Sequence, residues 1–369
     1  MLRPALLFSL LLLVQPLAQA REVAAPAAHV DADGPYVFRD GEQLRAQWIC
    51  NDQVITQAQA AAAAGSDIAA HCAYPHAVHV LPPATPAVTV LPATPRIVAL
   101  SDIHGQYDLM VRLLRANKVI DAQDRWTLGT ATLVIAGDVF DRGPQVTEAF
   151  WLLYGLQQQA AAAGGAVHFV LGNHETMVLY DDLRYVNAKY LRSAQLLGRS
   201  YPQLYGSDSV IGQWLRTRPV LLKIGDTLFL HGGIAPEALA LALDPVATNA
   251  AYQASLGTPK TEVKANPATA PLYDGKTSPI WYRGYFDGRL DSAGVQAVLD
   301  QLQLRRIVVG HTSMPHVSTF HGGRVIAIDS SIKKGENGEL LFIEDGNLSR
   351  GLLDGTRVPL AEGVMGEDD

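Results

Sequence analysis

The sequence predicts an α/β fold with a small β-rich segment at its N-terminus, on three observations. Five short apolar runs, RIVAL (96–100), TLVIAG (132–137), VHFVLG (167–172), TLFL (227–230) and RIVVG (306–310), have the length and Val/Ile/Leu content of buried strands. Each stops at a residue of metal-ligand type: Asp102 and His104, Asp138, Asn173, His231, and His311. Stretches with helical periodicity separate the first three runs, and layered α/β proteins collect ligands beyond the carboxyl ends of such strands.

The first twenty residues stand apart from the fold. Arg3 is followed by an apolar stretch from Ala5 to Val14, then Pro16 and the small-x-small sequence Ala18-Gln19-Ala20. This is the pattern of a secretory signal peptide cleaved after Ala20. The apolar run falls short of the roughly 20 residues a membrane span needs. The mature protein is therefore expected to be soluble, and periplasmic or secreted. In that oxidising setting Cys50 and Cys72, the only two cysteines, are expected to form a disulfide. The rival reading, a metal site with His71, His76 and His79, matches no familiar zinc spacing.

Residues 21–92 read as an N-terminal accessory segment. PYVF (35–38) and QWIC (47–50) are β-prone, the Ala-rich stretch 58–64 reads as a short helix ended by Gly65, and LPPATPAVTVLPATP (81–95) reads as a Pro-rich linker or edge strand. From 93 to 369 the main domain follows. Leu109, Leu113 and Leu114 share one helical face after the first ligand loop. Pro144 opens a second helix that runs toward Gly164-Gly165. His174 and Glu175 open a third, continuing through YDDLRYVNAKYLRSAQLLG. Helix N-termini near the ligand loops suit an anion. Residues 251–279 read as a long loop near the site entrance, and RVIAIDSSI, ELLFIED and VPL as further strands.

The charge pattern excludes some partners. With a net charge of −7 and no run of Lys or Arg, the chain is not expected to bind nucleic acid or a membrane surface. Any one Asp-x-His or Gly-His-Thr would be unremarkable as a loop feature. Taken together, Asp102, His104, Asp138, Asn173, His231 and His311 supply carboxylate, amide and imidazole ligands without thiolate. That donor set suits two divalent cations, Mn²⁺ first, with Fe or Zn²⁺ as the other choices. Two ions about 3.5–4 Å apart can share a carboxylate and a hydroxide that attacks a phosphoryl group. Asp138 is the natural shared carboxylate. Arg142, four residues on, offers a fork for phosphate oxygens. His174 is free to act as general acid, oriented by Asp141. A local salt bridge on the turn is the plainer reading of Asp141 and Arg142.

The order SDIHGQ, GDVFDRG, GNHE, HGG and GHT resembles the calcineurin-like metallophosphoesterases, within the phosphoprotein phosphatase superfamily. The segments YLRSAQLLG, WLRTRPVLLKIGDTLFLHGGI and IWYRGY are most similar to bacterial Shewanella-like phosphatases. The resemblance covers roughly residues 96–332. It implies a central β-sandwich flanked by helices, the same six ligands, and the same roles for His174 and Asp141. It adds Arg283, in WYRGY, as a second phosphate-binding arginine. Ser101 stands where Gly usually precedes the first Asp, Leu171 replaces the Arg found before GNHE in eukaryotic members, and IDSSIKKG occupies the neighbourhood of their SAPNYC-like element. The resemblance therefore does not carry eukaryotic inhibitor sensitivity, regulatory subunits or strict Ser/Thr preference to this chain. The function it implies is a phosphatase for phosphomonoesters of proteins or peptides, on tyrosine or on serine and threonine. The alternative is hydrolysis of small phosphate compounds such as dinucleoside polyphosphates; a catalytically silent binding module conflicts with the complete ligand set.

Overall fold

A computed structural model describes residues 22–83 and 85–364, so the predicted leader at 1–20 lies outside the described residues. The first strands are β1 (Ala32–Asp40), β2 (Gln43–Cys50) and β3 (Gln53–Ala60), an antiparallel sheet. A small pair follows, β4 (Ser66–Ile68) with β5 (Val78–Val80). Next come β6 (Val90–Leu91), β7 (Arg96–Leu100), β8 (Thr132–Ile135) and β9 (Ala166–Phe169). Then follow β10 (Leu222–Ile224), β11 (Thr227–Leu230), β12 (Arg306–Val309), β13 (Ser318–Phe320) and β14 (Val325–Ala327). The last are β15 (Leu340–Glu344), β16 (Asn347–Gly351), β17 (Arg357–Pro359) and β18 (Ala361–Glu362).

Two larger sheets make the main body. One runs β17-β16-β15-β7-β8-β9 and the other β18-β13-β14-β12-β11-β10-β6. Successive side chains on a strand point to opposite faces, and the core divides accordingly. Ile97, Ala99, Val134, Leu341 and Ile343 of the first sheet meet Leu222, Phe229, Val308 and Ile326 of the second in one buried cluster. Their neighbours Val98, Leu100, Leu133, Ile135, Leu228, Leu230, Ile307 and Val309 turn outward into a second cluster that includes the helices. The result is a β-sandwich covered by helices, as the resemblance implied. β7, β8 and β9 pair in parallel, as do β11, β12 and β14, so each set ends at one edge.

The helices α1 (Tyr107–Ala116) and α2 (Val146–Ala162) follow the first two ligand loops as predicted. The third prediction needs correction. Instead of one continuous helix, the chain forms α3 (Asn173–Leu179) and α4 (Ala188–Leu196). Asp181 takes a left-handed conformation (φ 68°), and Asn187 restarts the helix by accepting a hydrogen bond from the Lys189 N–H at 3.0 Å. The predicted helix at 58–64 is absent too: residues 53–60 pair with β2, because a seven-residue Ala-rich stretch is too short to nucleate a helix alone. Residues 251–279 hold the end of helix Pro245–Ser255 and all of helix Lys260–Ala265 rather than a plain loop. Asp244 caps the first by accepting from the Ala247 N–H at 3.0 Å.

The N-terminal sheet is anchored on the main body through a buried carboxylate. Asp33 accepts hydrogen bonds from Tyr36 Oη (2.8 Å), Ser193 Oγ of α4 (2.5 Å), Thr147 Oγ1 of α2 (3.1 Å) and its neighbour's N–H (2.9 Å). Trp151 Nε1 donates to the Pro35 carbonyl at 2.7 Å. β6 joins the edge of the second sheet, pairing in parallel with β10.

Cys50 and Cys72 form the expected disulfide, which removes both sulfurs from the rival metal reading. Among the described residues no helix is long and apolar enough to cross a membrane. The disulfide spans 22 residues, and a loop of that size restricts the unfolded chain by about 3 kcal/mol. Replacing both cysteines with serine should lower the unfolding free energy by about that amount in a denaturant titration.

Candidate metal centre

Sequence and backbone are matched closely at the strand ends. Asp102 (φ 54°), His104 (47°), Asp138 (59°), Asp141 (74°), Arg142 (66°) and His311 (67°) all adopt left-handed conformations. Such conformations cost non-glycine residues about 1–3 kcal/mol each, and Asp and His are among those that tolerate them best. Surrounding hydrogen bonds hold them. The Asp102 N–H donates to the Gly137 carbonyl (3.0 Å), that of His104 to Asp138 (3.0 Å), and that of Arg142 to Tyr185 (2.9 Å). Glu175, fully buried, completes the support. Its carboxylate accepts from the N–H groups of Asp138 (2.9 Å), Val139 (2.8 Å), Phe140 (3.3 Å) and Gly172 (2.8 Å).

The structure brings all six predicted ligands, with His174 and Asp141, to one sandwich edge. Asp138 Oδ2 lies 3.1 Å from His231 Nε2, 3.7 Å from His104 Nε2 and 3.8 Å from His174 Nε2. Asp102 Oδ1 is 3.8 Å from His104 Nε2, and Asn173 Oδ1 is 2.9 Å from His231 Nε2. Asp138 thus belongs to two clusters of metal-binding geometry, one with His104 and His174 and one with His231 and His311. The imidazoles are oriented from behind. His104 Nδ1 donates to the Phe140 carbonyl and His231 Nδ1 to the Ala136 carbonyl, both at 2.7 Å, which turns each Nε2 toward the centre. His311 Nε2 is buried without a hydrogen-bond partner among the described residues. A Cβ on Gly172 would collide with Asp138 Oδ1, and one on Gly310 would come within 2.5 Å of Asp102 Oδ2. An orphaned imidazole nitrogen, two close carboxylates and two glycine-cleared approaches fit divalent cations.

The electrostatics agree. Burial works against a charged Asp138, but the fields of His231 and His174 outweigh it and hold the carboxyl well below its usual range. Burial, with Asp329 next in effect, pushes Asp102 well up. Burial depresses His104 and His311. It also opposes charge on His231, yet Asp138 and Asp102 override it and push that imidazole up to about 10. Burial likewise disfavours charge on His174, but Asp138 and the Asp141 contact raise it overall. His174 Nδ1 sits 2.5 Å from Asp141 Oδ2. Burial outweighs that contact for Asp141, whose carboxyl is raised.

A cavity of about 290 Å³ opens on this centre, with Arg142 and Arg283 in its walls. It is also lined by Tyr185, Trp281, Ser313, Asp329 and Lys333, which the sequence reading did not single out. Asp329 carried a usable signal: Val325–Ala327 is another apolar strand running into a residue of metal-ligand type, like the other five runs. Glu175 also had one, three residues after Gly172 at a helix start. Tyr185 and Trp281 had none, since their ring positions depend on loops. Tyr185 packs 5.1 Å from the His174 ring and Trp281 5.5 Å from the His311 ring.

A two-sheet sandwich with oxygen and nitrogen donors gathered beneath a cationic cavity defines a metal-dependent hydrolase of phosphoesters. Residues 95–315 match the calcineurin-like phosphoesterase family, and the chain belongs to it. The crystal structure of the cold-active protein-tyrosine phosphatase of a psychrophilic Shewanella species is 41% identical. It aligns with a TM-score of 0.85 over 90% of this chain and 100% of that one. Shewanella-like protein phosphatase 2 of Arabidopsis thaliana is 25% identical over 288 residues, 65% of this chain and 72% of the relative. A symmetrical bis(5'-nucleosyl)-tetraphosphatase of Methylococcus capsulatus is 30% identical over 141 residues, 38% of this chain and 44% of the relative. Members of this family use divalent metal ions, and the Asp138-centred clusters are where such ions fit.

Glu175→Gln would set amide N–H groups against backbone donors that now share a carboxylate. Chemical denaturation of this variant should show a loss of about 2–3 kcal/mol.

Proposed function

We propose that the chain is an exported phosphatase for phosphorylated proteins or peptides, with phosphotyrosine as its preferred ester and two divalent cations, Mn²⁺ first, as cofactors. The observation that carries this reading is the cavity itself: an Asp/His floor with two arginines and two flanking aromatic rings, Tyr185 and Trp281. A phosphoryl group needs the floor, and a phenyl leaving group suits aromatic walls. The likeness to the Shewanella tyrosine phosphatase over 90% of the chain supports the same substrate class. Export is supported by the leader-like sequence of residues 1–20 and by the disulfide.

Asp102, His104 and Asp138 would hold one cation, and Asp138, Asn173, His231 and His311 the other. Bound there, the pair would acidify a water nucleophile and polarise the phosphoryl oxygens. The remaining work belongs to the side chains. Arg142 and Arg283 grip the non-reacting phosphate oxygens, and Arg283 is steadied by donating Nη2 to the His311 carbonyl at 3.0 Å. With Nδ1 engaged by Asp141, His174 turns Nε2 toward the centre, where it delivers a proton to the departing phenolate oxygen. Asp141 fixes that orientation and favours the protonated ring.

The mature protein reconstituted with metal should contain close to two divalent ions and hydrolyse p-nitrophenyl phosphate; activity surviving metal removal would overturn the mechanism. A substrate panel tests the rest: kcat/KM should be higher for phosphotyrosyl peptides than for phosphoseryl peptides or diadenosine tetraphosphate. A higher value for diadenosine tetraphosphate would favour the small-phosphate reading carried by the tetraphosphatase match, and a higher one for phosphoseryl peptides would overturn the tyrosine preference. His174→Asn should keep its metal and lose about 10²-fold or more in kcat. An active variant would reassign the proton donor.

A further inference from the structure

The segment IDSSIKKG places a lysine in the cavity that the reaction described above does not use. After β14 and Asp329 the chain makes a tight turn, Ile332–Lys334, bounded by left-handed Ser331 (φ 62°) and Gly335 (φ 75°). The turn is firmly held. The Ser331 N–H donates to Asp329 Oδ1 (3.0 Å), Ser331 Oγ to the Met314 carbonyl (3.1 Å), and Gln106 Nε2 to the Lys333 carbonyl (3.3 Å). Lys333 Nζ donates to Ser313 Oγ at 2.6 Å, and Ser313 donates in turn to Asp329 Oδ2 at 2.5 Å. This half-buried ammonium lines the same cavity as the predicted ligands.

Its nearest counter-charge is Asp329, which it reaches through Ser313 and whose carboxyl it draws down against the effect of burial. An ammonium offers three protons, and among the described residues one goes to Ser313 while no carboxylate lies within ion-pair distance. Arg142 and Arg283 are alike in this respect: Arg142 lies over the Tyr185 ring at 5.3 Å and Arg283 bonds a carbonyl. Among less exposed cations elsewhere, Lys189, Lys260, Arg184 and Arg192 pair directly with carboxylates whereas Arg218 and Arg306 do not, so it is the place of Lys333 in the cavity wall that points to a ligand. With one proton committed to Ser313, the ammonium keeps two donors for an anion that arrives in the cavity. Two arginine forks match the oxygens of one phosphoryl group. Lys333 comes from a different loop and presents a point charge rather than a fork. It therefore suits a second anion beside the first.

We propose that Lys333 determines specificity by binding a second anionic group of the substrate, a carboxylate or phosphate on the residue next to the phosphorylated one. This rests on reading the cavity as a phosphopeptide site. The test uses three phosphotyrosyl peptides differing only in that neighbour (glutamine, aspartate or phosphoserine), together with p-nitrophenyl phosphate. Wild-type protein should show a KM about fivefold lower for an anionic neighbour than for glutamine, the scale of one partly screened ion pair. Lys333→Met, which keeps the stem, should erase that preference, and Lys333→Arg should retain most of it. Non-hydrolysable phosphonate versions of the peptides should show the same split in calorimetric affinity. A preference for the aspartate peptide alone assigns the subsite to carboxylates, and one for the phosphoserine peptide alone to phosphate. Absence of the preference in wild type, or its survival in Lys333→Met, overturns the proposal. So does an equal rise in KM for every substrate, p-nitrophenyl phosphate included, which would place Lys333 on the scissile phosphate. If wild type cleaves p-nitrophenyl phosphate but no peptide, the substrate reading beneath the proposal fails first.

Discussion

The placement of one carboxylate, that of Asp138, governs the rest of the centre. Its two oxygens do different jobs. Oδ1 accepts the His174 N–H at 3.0 Å and so ties the β8 loop to the start of α3. Oδ2 faces three imidazoles within 3.8 Å. The backbone around it has no freedom, since Glu175 takes its N–H and those of the next two residues. Shifting Asp138 would therefore disturb both clusters, the orientation of His174 and the entry to Arg142 together.

The sandwich explains how ligands from two sheets can meet. Strict alternation puts Ile97, Ala99 and Val134 against Phe229, Val308 and Ile326, fixing the spacing of the two sheets. Their parallel strands end together, so Asp102, Asp138 and Asn173 from one sheet face His231 and His311 from the other. What the strands cannot do is aim the side chains. That falls to the left-handed residues just beyond them, whose strain is offset by the dense hydrogen bonding around the loops. Tight packing behind the site thus maintains costly geometry within it.

Much of this was legible in the sequence because it is local. A buried strand declares itself by five apolar residues, and a candidate ligand by its type and place at the strand end; that rule picked out Asp102, His104, Asp138, Asn173, His231 and His311, which the fold brings to one edge. Arg283 came only through family likeness, since its approach to His311 depends on a long excursion between β11 and β12. The third helix was misread because a helical pattern of side chains continues across Asp181 although the backbone does not. Tyr185 and Lys333 escaped for a related reason. Each reaches the cavity from a turn whose course is set by distant contacts: Tyr185 through the Arg142 loop, Lys333 through Gln106 and Ser313.

Asp33 gives the N-terminal strands a bearing on the loop that carries Asp141 and Arg142. It binds Ser193 of α4, and that helix region holds the loop directly: Asn187 Nδ2 donates to the Arg142 carbonyl at 2.8 Å and Lys189 Nζ to the Pro144 carbonyl at 2.7 Å. The family match begins at residue 95, well after Asp33, and ends at 315, before β15, the strand beside β7. The family pattern thus leaves out Asp33 and β15, although the Shewanella phosphatase structure aligns over 90% of this chain. Part of the frame around the candidate site therefore lies in flanking sequence outside the 95–315 pattern.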